Sequence, residues 1–208
     1  SYYSGVNGIK LYRWAGIDEK KAIWIGGLRG TFYNSIIEIL DGFSENWGAS
    51  MGDFASNSIG SFIAISQELC WKEQRILIKY SYSRSDLSYE NSELFGDNFF
   101  QRIFKDYNGQ TYWISMNINS MFKSDNSHFP DWLNLALGHS AKDMISPNNT
   151  LNDGRYRQFF LSFDIDLMRI KSKNKILSVL SNVFGYIKIP FPTIEYSNNQ
   201  FTLHPIYF

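Results

Sequence analysis

Hydrophobic positions recur with a helical period through the first third of the chain and with a period of two through much of the rest. Asp18 precedes a run that predicts a helix from about Glu19 to Leu40, with Gly42 just beyond it as a stop. Ser50 and Asp53 stand at capping-box spacing before Phe54, Ile59, Phe62, Ile63 and Ile65, which predicts a second helix from Met51 to Trp71. A shorter helix is predicted over residues 1–14. Small residues recur at four-residue spacing, Gly26 and Gly30, then Ser56, Gly60 and Ala64, a pattern that lets helix backbones approach closely. Arg29, Glu38 and Asp53 interrupt the helix faces, so a tight hairpin of the soluble kind is expected rather than packing in lipid.

After Trp71 the period changes. Ile76, Ile78, Tyr80 and Tyr82 alternate with Leu77, Lys79, Ser81 and Ser83, predicting a strand with one apolar face. Tyr112, Ile114, Met116 and Ile118 repeat the pattern opposite Ser115, Asn117 and Asn119, with Asn108-Gly109 as the turn leading in and a short helix before it, from Asp97 to Lys105. A third strand is predicted from Trp132 to Ser140. In the fourth, Phe159, Leu161, Phe163, Ile165 and Leu167 lie opposite Ser162, Asp164 and Asp166. The stretch between these two, Ser146 to Gly154, is rich in Asn, Asp and Pro and reads as an exposed loop. An amphipathic helix from Lys175 to Tyr186 is halted by Pro190 and Pro192, and the chain closes on a strand from Phe201 to Phe208.

The fold class this predicts is α+β. An N-terminal helical hairpin of two to three helices over residues 1–72 is followed, over residues 73–208, by an antiparallel β-sheet or partial β-barrel with one late helix, the two regions packed as one unit. The aromatic and polar alternation resembles an outer-membrane barrel, and Asp164 and Asp166 suit either a barrel interior or a solvated face. The strand count is about six, below the ~8 of a minimal lipid-facing barrel.

Composition narrows the partners. Lys plus Arg equals Asp plus Glu at 20 each, so there is no positive excess to recruit phosphate backbones and no nucleic-acid partner is expected. The chain carries 17 Phe, 13 Tyr and 6 Trp, a usage that suits sheets, protein interfaces and the headgroup belts of membranes. The lone Cys70 excludes an internal disulfide and is expected to be a small buried apolar residue. The apolar run from Ala22 to Leu28 is broken by Arg29, well short of the ~20 residues of a spanning helix. Because the chain opens on Ser1 and not Met, a signal peptide or lipid anchor is expected upstream.

Candidate chemistry is sparse. Glu38 and Asp41, then Asp53 and Asn57, each face one way on their helices, and an antiparallel hairpin brings the pairs toward one another. Three carboxylates near an amide suit a hard divalent cation or acid–base work; the competing structural reading has Asp53 capping its helix and the others solvated or paired with Arg29 or Lys20. His128, His139 and His204 are widely separated, and neither HExxH nor CxxC occurs, so each is read as a surface or strand residue. No Walker, GxGxxG or GxSxG motif is present. No catalytic residue, small-molecule substrate or cofactor is predicted beyond that possible divalent cation.

The runs RWAGIDEKKAIWIGG, SIIEILDGFSENWGASMGDFASNSIGS and QELCWKEQRILIKYSYSRSD, with the later DYNGQTYW, RYRQFFLSFDIDL and KIPFPTIEY, resemble the DUF2279 family, described as predicted periplasmic lipoproteins found largely in Bacteroidota. The resemblance covers almost the whole chain. A more distant similarity, to VanZ-like proteins, rests on Glu38 followed by Asp53, Asn57 and Gly60; those relatives also carry an upstream D-K-x-x-H segment, which these 208 residues do not contain. The resemblance implies an envelope address, at the outer membrane or in the periplasm with a lipid anchor upstream, and it implies no reaction. Three functional expectations follow: a non-catalytic accessory subunit of a larger outer-membrane assembly for secretion, uptake or barrel insertion; a free-standing outer-membrane β-protein with a helical plug; or an envelope enzyme or divalent-metal binder using Glu38, Asp41 and Asp53.

Overall fold

The computed structural model describes residues 1–43, 48–90, 92–122, 129–144, 154–170 and 172–208, and divides the chain into two units, Ser1–Gln74 and Arg75–Phe208. The first unit holds three helices: α1 (Tyr2–Trp14), α2 (Glu19–Asp41) and α3 (Met51–Trp71). The side chain of Asp18 caps α2 by accepting from the Lys21 N–H, and Ser50 caps α3 by accepting from the Asp53 N–H, satisfying donors that a helix leaves open. Ile9, Ile23 and Ile65 form a small core. Around them the helices meet through glycine: a Cβ on Gly26 would lie 2.5 Å from the Ile9 nitrogen, and one on Gly8 2.5 Å from the Gly26 oxygen. Gly26, Gly30, Gly60 and Ala64 are buried as their spacing predicts, whereas Ser56 is exposed. Trp24, Leu28, Phe32 and Ile36 of α2 point outward, yet among the described residues no helix is long and apolar enough to cross a membrane.

This packing carries a testable cost. Gly26→Ala gains ~0.5–1 kcal/mol of helix propensity, but its methyl must enter occupied backbone space, and overpacking costs ~1–3 kcal/mol. A net loss of about 1–2 kcal/mol is expected in urea denaturation, and a variant more stable than the parent would show that α1 and α2 do not touch there.

The second unit is a six-stranded antiparallel meander in the order β1 (Ile76–Tyr82), β2 (Gln110–Asn117), β3 (Leu133–Lys142), β4 (Tyr156–Ile165), β5 (Phe191–Ser197), β6 (Gln200–Tyr207). Short helices α4 (Leu87–Glu90), α5 (Ser92–Phe95) and α6 (Phe99–Lys105) join β1 to β2, α7 (Ile118–Phe122) follows β2, and α8 (Lys175–Phe184) lies between β4 and β5. The fold is thus α+β, and the first four strands pair antiparallel in register as expected. The sheet is rolled but open between β1 and β6. Tyr207 on β6 reaches across to β2 and β4, its ring 6.1 Å from Trp113 and 4.5 Å from Phe160, with its hydroxyl 3.2 Å from that of Thr111. Beside β1, the Tyr80 N–H donates to the Tyr186 carbonyl and the Lys188 N–H to the Tyr80 carbonyl, each at 2.9 Å, so part of that edge is occupied.

Three expectations need correction. The sequence pattern assigns no element to Phe191–Ser197 beyond the proline stop at Pro190 and Pro192, and this stretch forms β5, with Pro190 just ahead and Pro192 at a register shift against β6, places where a missing N–H costs no ladder bond. Ile118 opens α7 instead of continuing β2. The predicted fourth strand stops at Ile165, because the Asp166 side chain caps a short 3-10 turn by accepting from the Met168 N–H. The predicted loop Ser146–Gly154 lies, apart from Gly154, outside the described residues, as does His128.

Candidate functional site

The side chains of the rolled sheet are sorted opposite to those of a water-soluble sheet. Its interior is polar: Lys79, Ser81, Thr111, Ser115, Asn117, Asn134, Ser162, Asp164, Thr193 and Glu195 are all buried, with Trp113, Ala136 and Phe160 as the apolar centre. Gly138 faces Trp113, and a Cβ there would lie 2.7 Å from the indole ring, so the glycine provides the slot for the large residue.

A relay of hydrogen bonds holds this interior. Asn117 Nδ2 donates to Asn134 Oδ1 at 2.8 Å, Asn134 Nδ2 to Ser115 Oγ at 2.9 Å, and Ser115 Oγ to Asp164 Oδ2 at 2.6 Å. Lys79 Nζ lies 2.7 Å from the same carboxylate oxygen, both side chains fully buried, and also donates to the Ile165 carbonyl. Lys188 Nζ donates to Ser162 Oγ and to the Phe163 and Ile189 carbonyls and sits 4.9 Å from the centre of the Trp113 ring. Further along, Glu195 accepts from Gln158 and Ser197 and meets His204 Nε2 at 2.6 Å. These bonds tie β1 to β4 and β5 to β6, so their chemistry is that of a charge-balanced scaffold.

The outer face is apolar in aligned rows. One row, read along the registers, is Ile78–Ile114–Leu137–Leu161–Ile194–Leu203, aliphatic on every strand. The next row is Tyr80–Tyr112–His139–Phe159–Tyr196–Phe201, a ring on every strand. Within it Tyr80 and Tyr112, His139 and Phe159, and Tyr196 and Phe201 touch at centroid separations of 5.7, 5.3 and 4.9 Å. From β2 to β6 both rows are exposed, with Leu161 at 42% and Leu203 at 70%.

The helical candidates resolve differently. Glu38 Oε2 accepts from the Ser50 N–H at 3.1 Å, the bond that a capping box would give to Asp53, so a side chain of α2 completes the cap of α3. Asn57 Oδ1 accepts from Ser1 Oγ and Asn34 Nδ2, and its carbonyl from Thr31 Oγ1. Asp53 is exposed and Asp41 half-buried. Among the described residues no group of three or more His, Cys, Asp and Glu is placed to hold a metal ion. Asp53→Asn should therefore cost no more than about 1 kcal/mol, the scale of a helix-terminus charge or cap, and its melting temperature should track that of the parent in calcium, magnesium and chelator alike. A parent transition raised by many degrees by a divalent ion, with an unresponsive variant, would instead establish a cation site.

Sequence reading missed an ion pair in this unit: the buried Glu68 lies 2.6 Å from the half-buried Arg13 and accepts from Gln74 Nε2 at 2.7 Å. The hydrogen bond to Glu19, ahead of that to Glu68, raises the Arg13 pKa against the opposing effect of burial. Cys70 is also a correction. It is exposed, on the wall of an apolar groove of about 430 Å³ that Trp24, Leu28, Phe62, Ile65 and Leu69 also line, because the last turn of α3 turns it toward α2 and not toward the glycine-lined core. Compared with protein-family models, curated proteins and solved structures, the chain matches none.

Proposed function

We propose that this chain is a non-catalytic cell-envelope protein whose rolled sheet is embedded in a bacterial outer membrane as part of a larger β-assembly. The observation that carries the reading is the inverted sorting of the sheet, with a hydrogen-bonded polar interior and an outer aliphatic row bordered by an aromatic row. Water penalises such an outer surface at ~25 cal/mol per Å², whereas acyl chains do not, and an apolar band edged by an aromatic girdle is the pattern of lipid-facing sheets. The longest strands, β3 and β4, have 10 residues each, within the ~9–11 needed to span the hydrocarbon when tilted.

The open sheet supports the larger assembly. Unpaired strand edges are not tolerated in hydrocarbon, and six strands are fewer than a minimal closed barrel uses. Another β-protein at the free edge supplies the missing pairing, which makes this chain an accessory wall or subunit. The test is to wash native membranes with alkaline carbonate and then solubilise them in mild detergent. The protein is expected to stay in the washed membranes and to leave them with a second β-protein; release into the wash, or a detergent-free soluble monomer, overturns the reading.

A further inference from the structure

The aromatic row borders one rim of the aliphatic band; the connection from β4 to β5, containing α8, lies at the opposite rim, where Ile165 ends β4 and Phe191 begins β5. On α8, Ile176, Leu177, Val179, Leu180, Val183 and Phe184 occupy one arc of roughly 160° at ~100° per residue, and Lys175, Ser178, Ser181 and Asn182 occupy the other. No residue of this helix is buried, and Ile176, Val179 and Val183 are 70%, 61% and 62% exposed. Water gives such a face no reason to persist. Its charge is one-sided as well. Between Asp166 and Glu195 the sequence has no acidic residue, and Lys173 and Lys175 stand exposed at the start of the helix, where Asn174 caps it by accepting from the Ile176 N–H at 2.9 Å.

We infer that α8 is an interfacial helix that lies in the headgroup layer of an anionic leaflet, its apolar arc toward the acyl chains and Lys173 and Lys175 against lipid phosphates. A strong apolar arc beside lysines is the composition of helices that lie in a membrane surface, and an anionic surface attracts lysines held within a screening length of it. The position at the rim without the aromatic row gives the helix a mechanical role: it sets the depth of that rim as the aromatic row sets the other. This rests on the lipid-facing reading of the sheet, and the experiment separates the two.

The full chain, in a Cys70→Ser background, is labelled with an environment-sensitive fluorophore at Val183→Cys or, separately, at Leu161→Cys, and reconstituted into vesicles of phosphatidylcholine alone or mixed equally with phosphatidylglycerol. The Leu161 probe reports the sheet and is expected to blue-shift in both compositions. The Val183 probe is expected to blue-shift in the anionic vesicles, and to lose the shift in molar salt, where the screening length falls to ~3 Å, or in Lys173→Gln/Lys175→Gln. A Leu161 shift with a Val183 probe that stays red in both vesicle types overturns the inference and leaves the sheet reading standing. A red Leu161 probe fails the sheet reading, and the inference with it. A Val183 shift that appears in detergent and grows with protein concentration assigns the helix face to a second copy and overturns the inference.

Discussion

Lys79→Met is expected to destabilise the sheet by about 3–5 kcal/mol, the cost of leaving a buried charge without its partner. Asp164 is fully buried, and Lys79 is the cation 2.7 Å from its Oδ2, so the variant leaves the carboxylate accepting from the Ser115 hydroxyl and the Ile189 N–H with no cation at that oxygen. Methionine keeps the volume of the lysine stem, so little of the loss comes from packing. Removing the carboxylate charge as well separates electrostatics from shape. Lys79→Met/Asp164→Asn is expected to be more stable than Lys79→Met alone, with a coupling of ~0.5–3 kcal/mol for residues that touch. Urea unfolding of each variant in the same detergent measures both quantities. A single-variant loss below ~1 kcal/mol would show that Lys188, or water, already neutralises Asp164.

The strands were legible because alternation is a local property, and so were the caps at Asp18 and Ser50, where one polar side chain and one N–H suffice. Alternation does not say which face is inside. In β1 the residues Leu77, Lys79 and Ser81 read as the polar face of a half-buried strand, yet all three are buried, and the more apolar set Ile76, Ile78 and Tyr80 lies outward. The decision is made by partners far along the chain, Asp164 for Lys79 and Trp113 for Ser81, and pairing at that separation has no short-range signal. The missed strand β5 has the same origin: its prolines read as stops, and their tolerance depends on a neighbouring strand with a register shift. In the helical region, the Glu38, Asp53 and Asn57 pattern marked a place of real structure. What it could not tell is that Glu38 serves the Ser50 N–H and Asn57 serves Asn34, because both bonds depend on how the helices cross.

Leu161→Arg distinguishes a lipid-facing sheet from a water-facing one by magnitude alone. Leu161 lies in the aliphatic row at the middle of the sheet, between Leu137 and Ile194, and its side chain points outward. On a soluble protein a surface substitution like this changes stability by no more than ~0.5 kcal/mol. Against hydrocarbon, arginine on the lipid face costs ~2–4 kcal/mol near the midplane, falling to ~0–1 kcal/mol near the interface. The same substitution at Tyr196, one row away in the aromatic belt, is therefore expected to cost markedly less, although both positions are about equally exposed, 42% for Leu161 and 41% for Tyr196. Unfolding of both variants in lipid vesicles and in detergent-free buffer gives the comparison. A steep difference between the rows, present in lipid, is the expected result, because only a bilayer grades the cost of a charge by depth along the strand. Equal and small losses at both positions would mean that the outer face meets water, and the apolar rows would then need a protein to cover them.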